Sequence, residues 1–437
     1  MTISYDTLGG SINIEPSGVV TADNLNRSVA IVGGADLSNG AATAGEPALV
    51  RNSTDAVTQF GAGSELAIQA ALALVNGASE VYGVPTPTTD GSESVTAQSS
   101  GTLSAAPLSD PRFTTETVSV TDSGGTDLTV EYIDSSPSTP SADDTVELNP
   151  TTGEWEADAS GDYDFSYATP TFTEAIDAAA GSTVRTVGVC AEAASVVGDL
   201  ETTLSEWAAD FRFSRGVYGV TERVDPADVS SYTPSQDDFR LVEVAPMYGT
   251  TTNDNTARLC GAIAGLAAAQ PIDVTGSITY DEVDGFASLS VEYTPSKAQQ
   301  FERVTAITDT MEVAEGVTTA SEDSFSDIYK AEIIDYTVEQ LHDRVTDFRG
   351  GSNAQPSRQK FRSRLKRTLS SLSAPNAQPP LLADGEGNRP YALDVSLGQN
   401  DTETDVSIGI DPAPIAKQVN VNVNVGPLQF EGVDVSA

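Results

Sequence analysis

Two stretches of this chain alternate short apolar strand patterns with helix patterns, and this alternation constrains the fold more than any other feature. In the first stretch, Ser28–Gly34 and Glu80–Val84 each predict a short buried strand. Between them, Ser64–Asn76 is rich in good helix formers, and Gly77 follows as a helix C-cap. We therefore expect an α/β unit over residues 28–84, because this alternation favours a sheet covered by helices.

The same alternation returns after residue 170. Residues 171–310 contain further strand patterns and two helix patterns, the second so rich in Ala and Gly that it can pack very closely. The predicted strands are 183–190, 213–220, 241–246 and 301–308, and the predicted helices are Leu200–Phe211 and Thr256–Ala269. Both stretches together predict an α/β core.

Residues 327–373 carry the strongest helical patterns. Two apolar stripes recur at helical spacings; the first ends at Gly350-Gly351, and the second lies between Pro356 and Pro375. The stripes are Ala331, Ile334, Val338, Leu341, Val345 and Phe348, then Phe361, Leu365, Leu369 and Leu372. We expect two amphipathic helices that each bury one face.

Residues 85–170 differ in character from the α/β stretches on either side. Ser, Thr, Asp, Gly and Pro dominate, and Arg112 is the only basic residue. Polar and apolar residues alternate in Glu116–Thr121 and Leu128–Ile133, with a turn pattern at Asp122-Ser-Gly-Gly. We predict a small, acidic, all-β domain inserted into the core. The alternative is a disordered linker, which the alternation and several aromatic residues disfavour.

Few residues point to chemistry. Gly33-Gly34 follows a strand, but the G-x-G-x-x-G spacing is missing and a second strand pattern at 47–51 replaces the phosphate-binding helix. The single histidine, His342, lies in a helix pattern, where a solvated position is the common case. Cys190 and Cys260 lack metal-ligand spacing, so we expect reduced core thiols. The sequence predicts no enzyme, no cofactor and no metal site.

The chain is strongly acidic, with 64 Asp and Glu against 22 Lys and Arg, or a net charge of −42. At low ionic strength, repulsion among so many like charges opposes a compact state. Molar salt shortens the Debye length to about 3 Å and so removes most of this repulsion. Lys is scarce among the cations, with 5 Lys against 17 Arg. We interpret the chain as a halophilic globular protein, because periodic apolar runs disfavour an acidic disordered chain. No nucleic acid partner is expected, because phosphate binding requires clustered cations.

Six cations lie close together against this acidic background. They are Arg358, Lys360, Arg362, Arg364, Lys366 and Arg367. On a helix they flank the second apolar stripe on both sides. A solvated face with ion pairs to nearby acids is the common arrangement. In a chain of this charge, we favour an acidic surface on a protein partner or on another copy.

Both ends of the sequence predict extended arms. Residues 1–27 contain the alternating segment Ser11–Glu15, followed by Pro16-Ser-Gly, with no helix pattern. Close to the other end, Val alternates with Asn over seven positions, at Val419, Val421, Val423 and Val425. Such a strand either completes its own sheet or joins the sheet of a neighbouring copy, and the pattern leaves both open.

Several segments of the chain match a known family in order and pattern. They are Val29-Ala-Ile-Val-Gly-Gly-Ala, Gly45-Glu-Pro-Ala-Leu-Val, Phe60-Gly, the helix pattern of 64–76, Glu80-Val-Tyr-Gly-Val, Ala257–Ala269, the helix patterns of 327–373, Tyr391-Ala-Leu-Asp-Val and Ile408-Gly-Ile-Asp-Pro-Ala-Pro. In these the chain resembles the tail sheath protein of contractile phage tails, archaeal virus tails and related injection systems. Pro414-Ile-Ala-Lys417 departs from the Pro-Ala-Glu that the family has near its last strand.

The resemblance implies a tail-sheath-like α/β core of mixed sheet and helices, with an inserted all-β domain and extended terminal arms. The implied units are an N-terminal arm at 1–27, core parts at 28–84 and 171–415, an outward-facing β domain at 85–170, and a C-terminal arm strand at 416–437. Their implied role is that of a structural subunit that polymerises helically around an inner tube. The sheath then contracts and drives the tube through a target envelope, without a nucleotide.

The resemblance also implies sites and partners. Strand exchange between copies would use Val419, Val421, Val423 and Val425, and the basic helix with Arg358, Arg362, Arg364, Lys366 and Arg367 would face the tube. The implied partners are further copies of the chain, the inner tail tube protein, and baseplate and tail terminator proteins. The location would be a virion tail assembled in the host cytoplasm, or a cytoplasmic or extracellular particle if the system is encoded by a cell.

The alternative function is a salt-adapted surface or adhesive protein built on β domains. We expect no signal peptide, because the segment after Met1 lacks a basic region and an apolar region. We expect no membrane insertion either, because no run approaches about 18 apolar residues. The expected lack of a signal peptide disfavours the alternative.

Overall fold

The computed structural model describes most of the chain. The described residues are 28–114, 116–179, 184–210, 212–269, 277–322, 325–348, 352–373, 381–383, 390–397, 404–410 and 412, together with the backbone of 3–7 and 10–15.

Strands and helices alternate through much of these residues. The strands are β1 (Ile3–Thr7), β2 (Gly10–Glu15), β3 (Ser28–Gly33), β4 (Ala48–Val50), β5 (Glu80–Pro85), β6 (Thr88–Thr102), β7 (Ser119–Asp122), β8 (Thr129–Tyr132), β9 (Thr145–Leu148), β10 (Glu154–Pro170), β11 (Thr186–Val189), β12 (Arg215–Gly219), β13 (Leu241–Ala245), β14 (Tyr248–Thr251), β15 (Thr256–Arg258), β16 (Phe286–Leu289), β17 (Thr305–Ala306), β18 (Tyr391–Leu397) and β19 (Thr404–Ile410). The helices are α1 (Ser53–Phe60), α2 (Glu65–Val75), α3 (Phe172–Ala179), α4 (Ala194–Ala209), α5 (Cys260–Ala269), α6 (Pro295–Ala298), α7 (Ile328–Phe348) and α8 (Gln355–Leu372).

A seven-stranded sheet forms the centre of the molecule, in the order β17-β13-β12-β11-β3-β5-β4. All neighbours are parallel except β4, which runs antiparallel to β5. Alternate residues of a strand point to opposite faces, so Val29 and Ile31 pack with α2 and α5, whereas Ala30 and Val32 pack with α3 and α4. The sheet is therefore buried on both sides, as parallel sheets usually are.

Helices α2 and α5 approach each other unusually closely because α5 has two glycines on the contact face. A Cβ on Gly261 would lie 2.6 Å from the carbonyl oxygen of Gln69. A Cβ on Gly265 would lie 2.8 Å from the Cα of Ala73. The Ala- and Gly-rich composition of α5 thus serves close backbone packing, as the sequence predicted.

Strands β6 to β10 form a separate antiparallel-rich sheet in the order β6-β10-β9-β8, with β7 also paired to β10. Its own core contains Trp155, Phe165 and Leu103, all nearly inaccessible to solvent. The first residue of β6, Thr88, pairs with the last residue of β10, Pro170. The chain therefore leaves the central sheet after β5 and returns to α3 at neighbouring positions.

The C-terminal part packs α7 and α8 against a four-stranded sheet, β1-β2-β19-β18. Strand β19 pairs in parallel with β2 and antiparallel with β18. The stripe Phe361, Leu365, Leu369 and Leu372 is buried, as predicted. Ala331, Ile334, Val338 and Leu341 are fully buried on α7, whereas Val345 and Phe348 are partly buried.

Three element predictions need correction. Thr256–Arg258 is strand β15, paired with β14, and the predicted helix begins only at Cys260, because a pairing partner outweighs local helix preference. Helix α4 begins at Ala194, ahead of the predicted Leu200. The predicted strand at 301–308 keeps only Thr305–Ala306. Within the described residues, no helix is both long and apolar enough to cross a membrane.

Candidate assembly surfaces

Helix α8 presents the basic cluster to solvent. Its apolar stripe faces the core, which leaves Lys360, Arg362, Arg364, Lys366 and Arg367 exposed and Arg358 half-buried. Positions 360, 364 and 367 lie on one helical face, and positions 358, 362 and 366 lie on another. The structure therefore brings the predicted cations together on both sides of one helix.

Among the described residues, these cations lack the acidic ion-pair partners that the common arrangement would supply. Within the described part of the chain, no Asp or Glu forms an ion pair with a residue of the basic cluster. Elsewhere, cations of the same chain are paired with Asp or Glu. Those paired residues are Arg51, Arg112, Arg185, Arg215, Arg223, Arg240, Arg258 and Arg303.

Two members of the basic cluster have backbone partners. Arg358 donates a hydrogen bond from Nη1 to the carbonyl oxygen of Asn353. Arg362 donates from Nη2 to the carbonyl oxygen of Leu393 at 3.1 Å. Leu393 belongs to β18, which among the described strands is an edge strand of its sheet, so Arg362 covers part of that edge. Unpaired edges are sites where further strands add.

The predicted exchange strand with Val419, Val421, Val423 and Val425 lies outside the described residues. The other predicted arm contributes β1 and β2, which pair with each other, and β2 also pairs with β19 in the sheet of the C-terminal part. Residues 3–15 and residues 391–410 therefore share one sheet, a proximity that no local sequence pattern predicts.

A buried charge cluster connects the central sheet to the segment before β7, and sequence reasoning missed it. Arg258 pairs with both Glu65 and Glu192, and its Nη2 lies 3.0 Å from Glu192 Oε2. The Arg258 guanidinium lies over the ring of Phe113, 3.9 Å from its centroid. Burial raises the pKa of Glu65 to about 7. The Arg258 charge opposes this rise, and the neighbouring Glu192 carboxylate adds to it. No sequence signal links these residues, because they are far apart along the chain.

Next to this cluster lies a cavity of about 390 Å³ at the carboxyl ends of β3, β5 and β11. Its lining includes Gly34, Glu65, Cys190 and Arg258. In open α/β sheets this edge commonly binds ligands. Here the backbone N–H of Gly34 donates to Glu65 Oε2 at 3.2 Å, so a carboxylate of the chain itself already accepts from this N–H. This geometry disfavours a nucleotide, in agreement with the sequence.

A second set of buried ion pairs joins α7 to the amino ends of β11 and β12. Arg185 Nη2 lies 2.6 Å from Glu332 Oε2, and Arg215 Nη1 lies 2.5 Å from Asp335 Oδ2. Arg215 retains only 2% of its exposed surface. These pairs fix the C-terminal part against the central sheet.

The described residues offer little for catalysis or metal binding. In them, no group of three or more His, Cys, Asp or Glu could hold a metal ion. His342 is half-buried on α7, with Nε2 at 3.3 Å from Thr346 Oγ1. Both cysteines are buried and free, as expected.

No protein-family model and no curated protein matches the chain, whereas its fold matches solved structures over nearly its full length. The contracted helical sheath of the anti-feeding prophage is 11% identical, with 93% of this chain and 95% of that chain covered and a TM-score of 0.56. The contracted PVC sheath complex of an extracellular contractile injection system is 11% identical, with 94% and 95% covered and a TM-score of 0.54. The contracted baseplate of the anti-feeding prophage is 11% identical, with 98% of each chain covered and a TM-score of 0.55. The chain thus has the fold of contractile sheath proteins.

Proposed function

We propose that this chain is the structural subunit of a contractile tail sheath, which polymerises helically around an inner tube and contracts to drive the tube through a target envelope. One observation carries the proposal: the fold agrees with that of a contracted helical sheath along 93% of this chain and 95% of the other. A head-to-tail contact that does not close on itself generates such a helical assembly. Baseplate and tail terminator proteins would bind its ends.

Electron microscopy of the purified full chain tests this function. Hollow cylinders or stacked rings are the expected particles. Monomers or flat lattices at assembly concentrations would contradict a sheath and favour the surface or adhesive protein instead.

The basic helix would bind the inner tube. Five cations of α8 are exposed, and none is ion-paired within the described residues, although the chain carries a net charge of −42. An unpaired positive surface on an acidic subunit is complementary to an acidic tube protein. Such a contact weakens as salt increases, because counterions screen the charges.

A charge reversal on one face of α8 tests tube binding. The variant Lys360→Glu, Arg364→Glu, Arg367→Glu spares Arg362 and its hydrogen bond to β18. We expect co-purification with the tube protein to be lost while sheath polymers persist. The variant Arg51→Glu, Arg223→Glu, Lys297→Glu makes the same charge change elsewhere and should retain the tube. Equal tube retention by both variants would contradict tube binding by α8 and would mean that its cations form an ordinary solvated surface.

The C-terminal arm would link neighbouring copies. The Val-Asn alternation of 419–425 is a strand pattern without charge. The edge of β18 that includes the Leu393 carbonyl has no strand partner among the described residues. Deleting residues 418–437 should leave a folded monomer that forms no tubes. If tubes of normal length still form, the arm is not exchanged.

Residues 85–170 would form an inserted, outward-facing domain that keeps the particle dispersed in salt, as in a halophilic archaeal virus. Support comes from the adjacent entry and exit at Thr88 and Pro170 and from the separate core around Trp155. Replacing residues 88–170 with a short Gly-Ser linker should therefore give tubes of smaller outer diameter. Loss of all tubes, with the variant still folded by circular dichroism, would place this segment in the assembly contacts.

A further inference from the structure

The two cysteines of the chain, 70 positions apart in sequence, lie in contact in the fold. Cys190 Sγ and Cys260 Sγ are 3.8 Å apart. Both side chains are buried and free. The sequence contains only these two cysteines, so each is the sole thiol that the other can meet within one subunit.

Rigid elements hold both residues in place. Cys190 directly follows β11, and its N–H donates to the carbonyl oxygen of Val32 at 2.9 Å. Cys260 begins α5, whose first turn is fixed by Gln69: Oε1 accepts from the Gly261 N–H at 2.9 Å, and Nε2 donates to the Arg258 carbonyl at 2.8 Å. The contact between the two sulfurs is therefore a feature of the packed core.

The cavity beside the buried charge cluster provides a route to this pair. Cys190 lines the cavity of about 390 Å³, and the exposed residues Leu37 and Ser38 also line it. The cavity thus extends from the protein surface to residue Cys190. We expect a small uncharged reagent to enter more readily than a large or strongly anionic one, because Glu65 and Asp110 also line the cavity.

We propose that Cys190 and Cys260 form an oxidation site, at which a peroxide converts the two thiols into an intramolecular disulfide within the folded subunit. The bond would join the end of β11 to the start of α5. This inference does not depend on sheath assembly, because both thiols belong to one chain.

The reaction proceeds in two balanced steps. One thiol sulfur attacks the peroxide; the O–O bond breaks, and a sulfenic acid and one water form. The sulfur of the second thiol then displaces the sulfenic hydroxyl, which leaves as a second water with the proton of that thiol. The two sulfurs are oxidised by two electrons, and hydrogen peroxide is reduced to two waters.

The contact between the sulfurs places the two thiols next to each other, while their environment makes the reaction slow. A disulfide requires a sulfur separation of about 2.0 Å, so the two sulfurs must approach each other from 3.8 Å. Burial raises the pKa of the Cys190 thiol, so Cys190 stays protonated and reacts slowly. We therefore expect a bond that forms under sustained oxidation and stabilises the subunit.

Thiol counting tests the proposal. The full chain is treated with hydrogen peroxide, quenched, denatured in urea and alkylated with N-ethylmaleimide. Alkylated cysteines should fall from two to none, and peptide mass mapping should give one cross-linked peptide pair that dithiothreitol separates. The melting temperature should rise by about 5 °C on oxidation, because the cross-link restricts the unfolded chain.

Cys190→Ala and Cys260→Ala are the matched controls. Each should show no cross-link and no rise in melting temperature with peroxide. The proposal is overturned if both thiols of the native chain remain after peroxide treatment, if they react only in urea, or if the product is an intermolecular dimer. Peptide mapping of the wild-type chain decides this even if an alanine variant does not fold.

Discussion

Two glycines of α5 set the distance between α5 and α2. At each glycine, an added methyl group would meet the backbone of α2. Side-chain rotation cannot relieve such an overlap, because backbone atoms are in contact. The free energy of unfolding is therefore sensitive to a single carbon atom at these positions.

We predict that Gly265→Ala lowers the free energy of unfolding by about 1–3 kcal/mol, because its Cβ would overlap Ala73. Chemical denaturation measures the change. Gly198→Ala is the matched control: Gly198 is also helical, but no atom lies within 4 Å of its missing Cβ. Gly198→Ala should be neutral or stabilising by up to about 1 kcal/mol. Equal effects of both variants would mean that close packing is not the cause.

Glu243 makes stability depend on pH. It is fully buried on β13, and Tyr232 donates a hydrogen bond to its Oε1 at 2.7 Å. Burial raises the pKa of Glu243 to about 7, against 4.5 as the ordinary value. The folded state therefore holds a proton between pH 4.5 and 7 that the unfolded state releases. The free energy of unfolding should fall by about 3 kcal/mol as the pH rises through this window.

The variant Glu243→Gln should remove this contribution, as measured by urea denaturation from pH 5 to 8. Glu65 acts in the same direction, so part of the slope remains. Tyr232→Phe deletes the hydrogen bond that favours the carboxylate, so it should raise the pKa of Glu243 further and extend the fall in the free energy of unfolding to higher pH. An unchanged slope in Glu243→Gln would assign the pH dependence to other groups.

At the scale of elements, α7 is held to the central sheet by charges as well as by its apolar stripe. The Arg215–Asp335 pair is almost inaccessible to solvent. We predict that Asp335→Asn lowers the free energy of unfolding by about 3–5 kcal/mol, because the Arg215 charge would stay buried without its partner. Glu80→Gln breaks the exposed pair with Arg51 and should cost less than about 1 kcal/mol. Thermal denaturation of both variants compares them, and similar losses would contradict a special role for burial.

The elements also differ in how far the sequence predicted them. Helices α7 and α8 were predictable because their apolar residues recur at helical spacing over many turns. Strands β6 and β10 were not, because their Ser-, Thr- and Asp-rich residues are ordered by pairing with each other over 15 and 17 residues. The basic helix was predicted from spacing alone. The buried charge cluster of Arg258, Glu65 and Glu192 was not predicted, because it depends on tertiary contacts that no local pattern contains.

At the scale of the whole molecule, the net charge of −42 sets the solution conditions for folding. We predict that the melting temperature rises from low salt to about 2 M NaCl, because screening reduces repulsion among the carboxylates. Calorimetry over a salt series measures the rise. Most of it should occur below about 0.5 M if screening is the cause, since the Debye length shortens most steeply there. A melting temperature that falls with added salt would contradict the halophilic interpretation.

The buried ion pairs between α7 and the central sheet have a mechanical consequence. Both pairs, Arg185–Glu332 and Arg215–Asp335, lie between α7 and the central sheet. Separating α7 from the central sheet would leave these charges unpaired in a medium of low polarity. We therefore expect the C-terminal part and the central sheet to move together as one rigid unit when force is applied to the molecule.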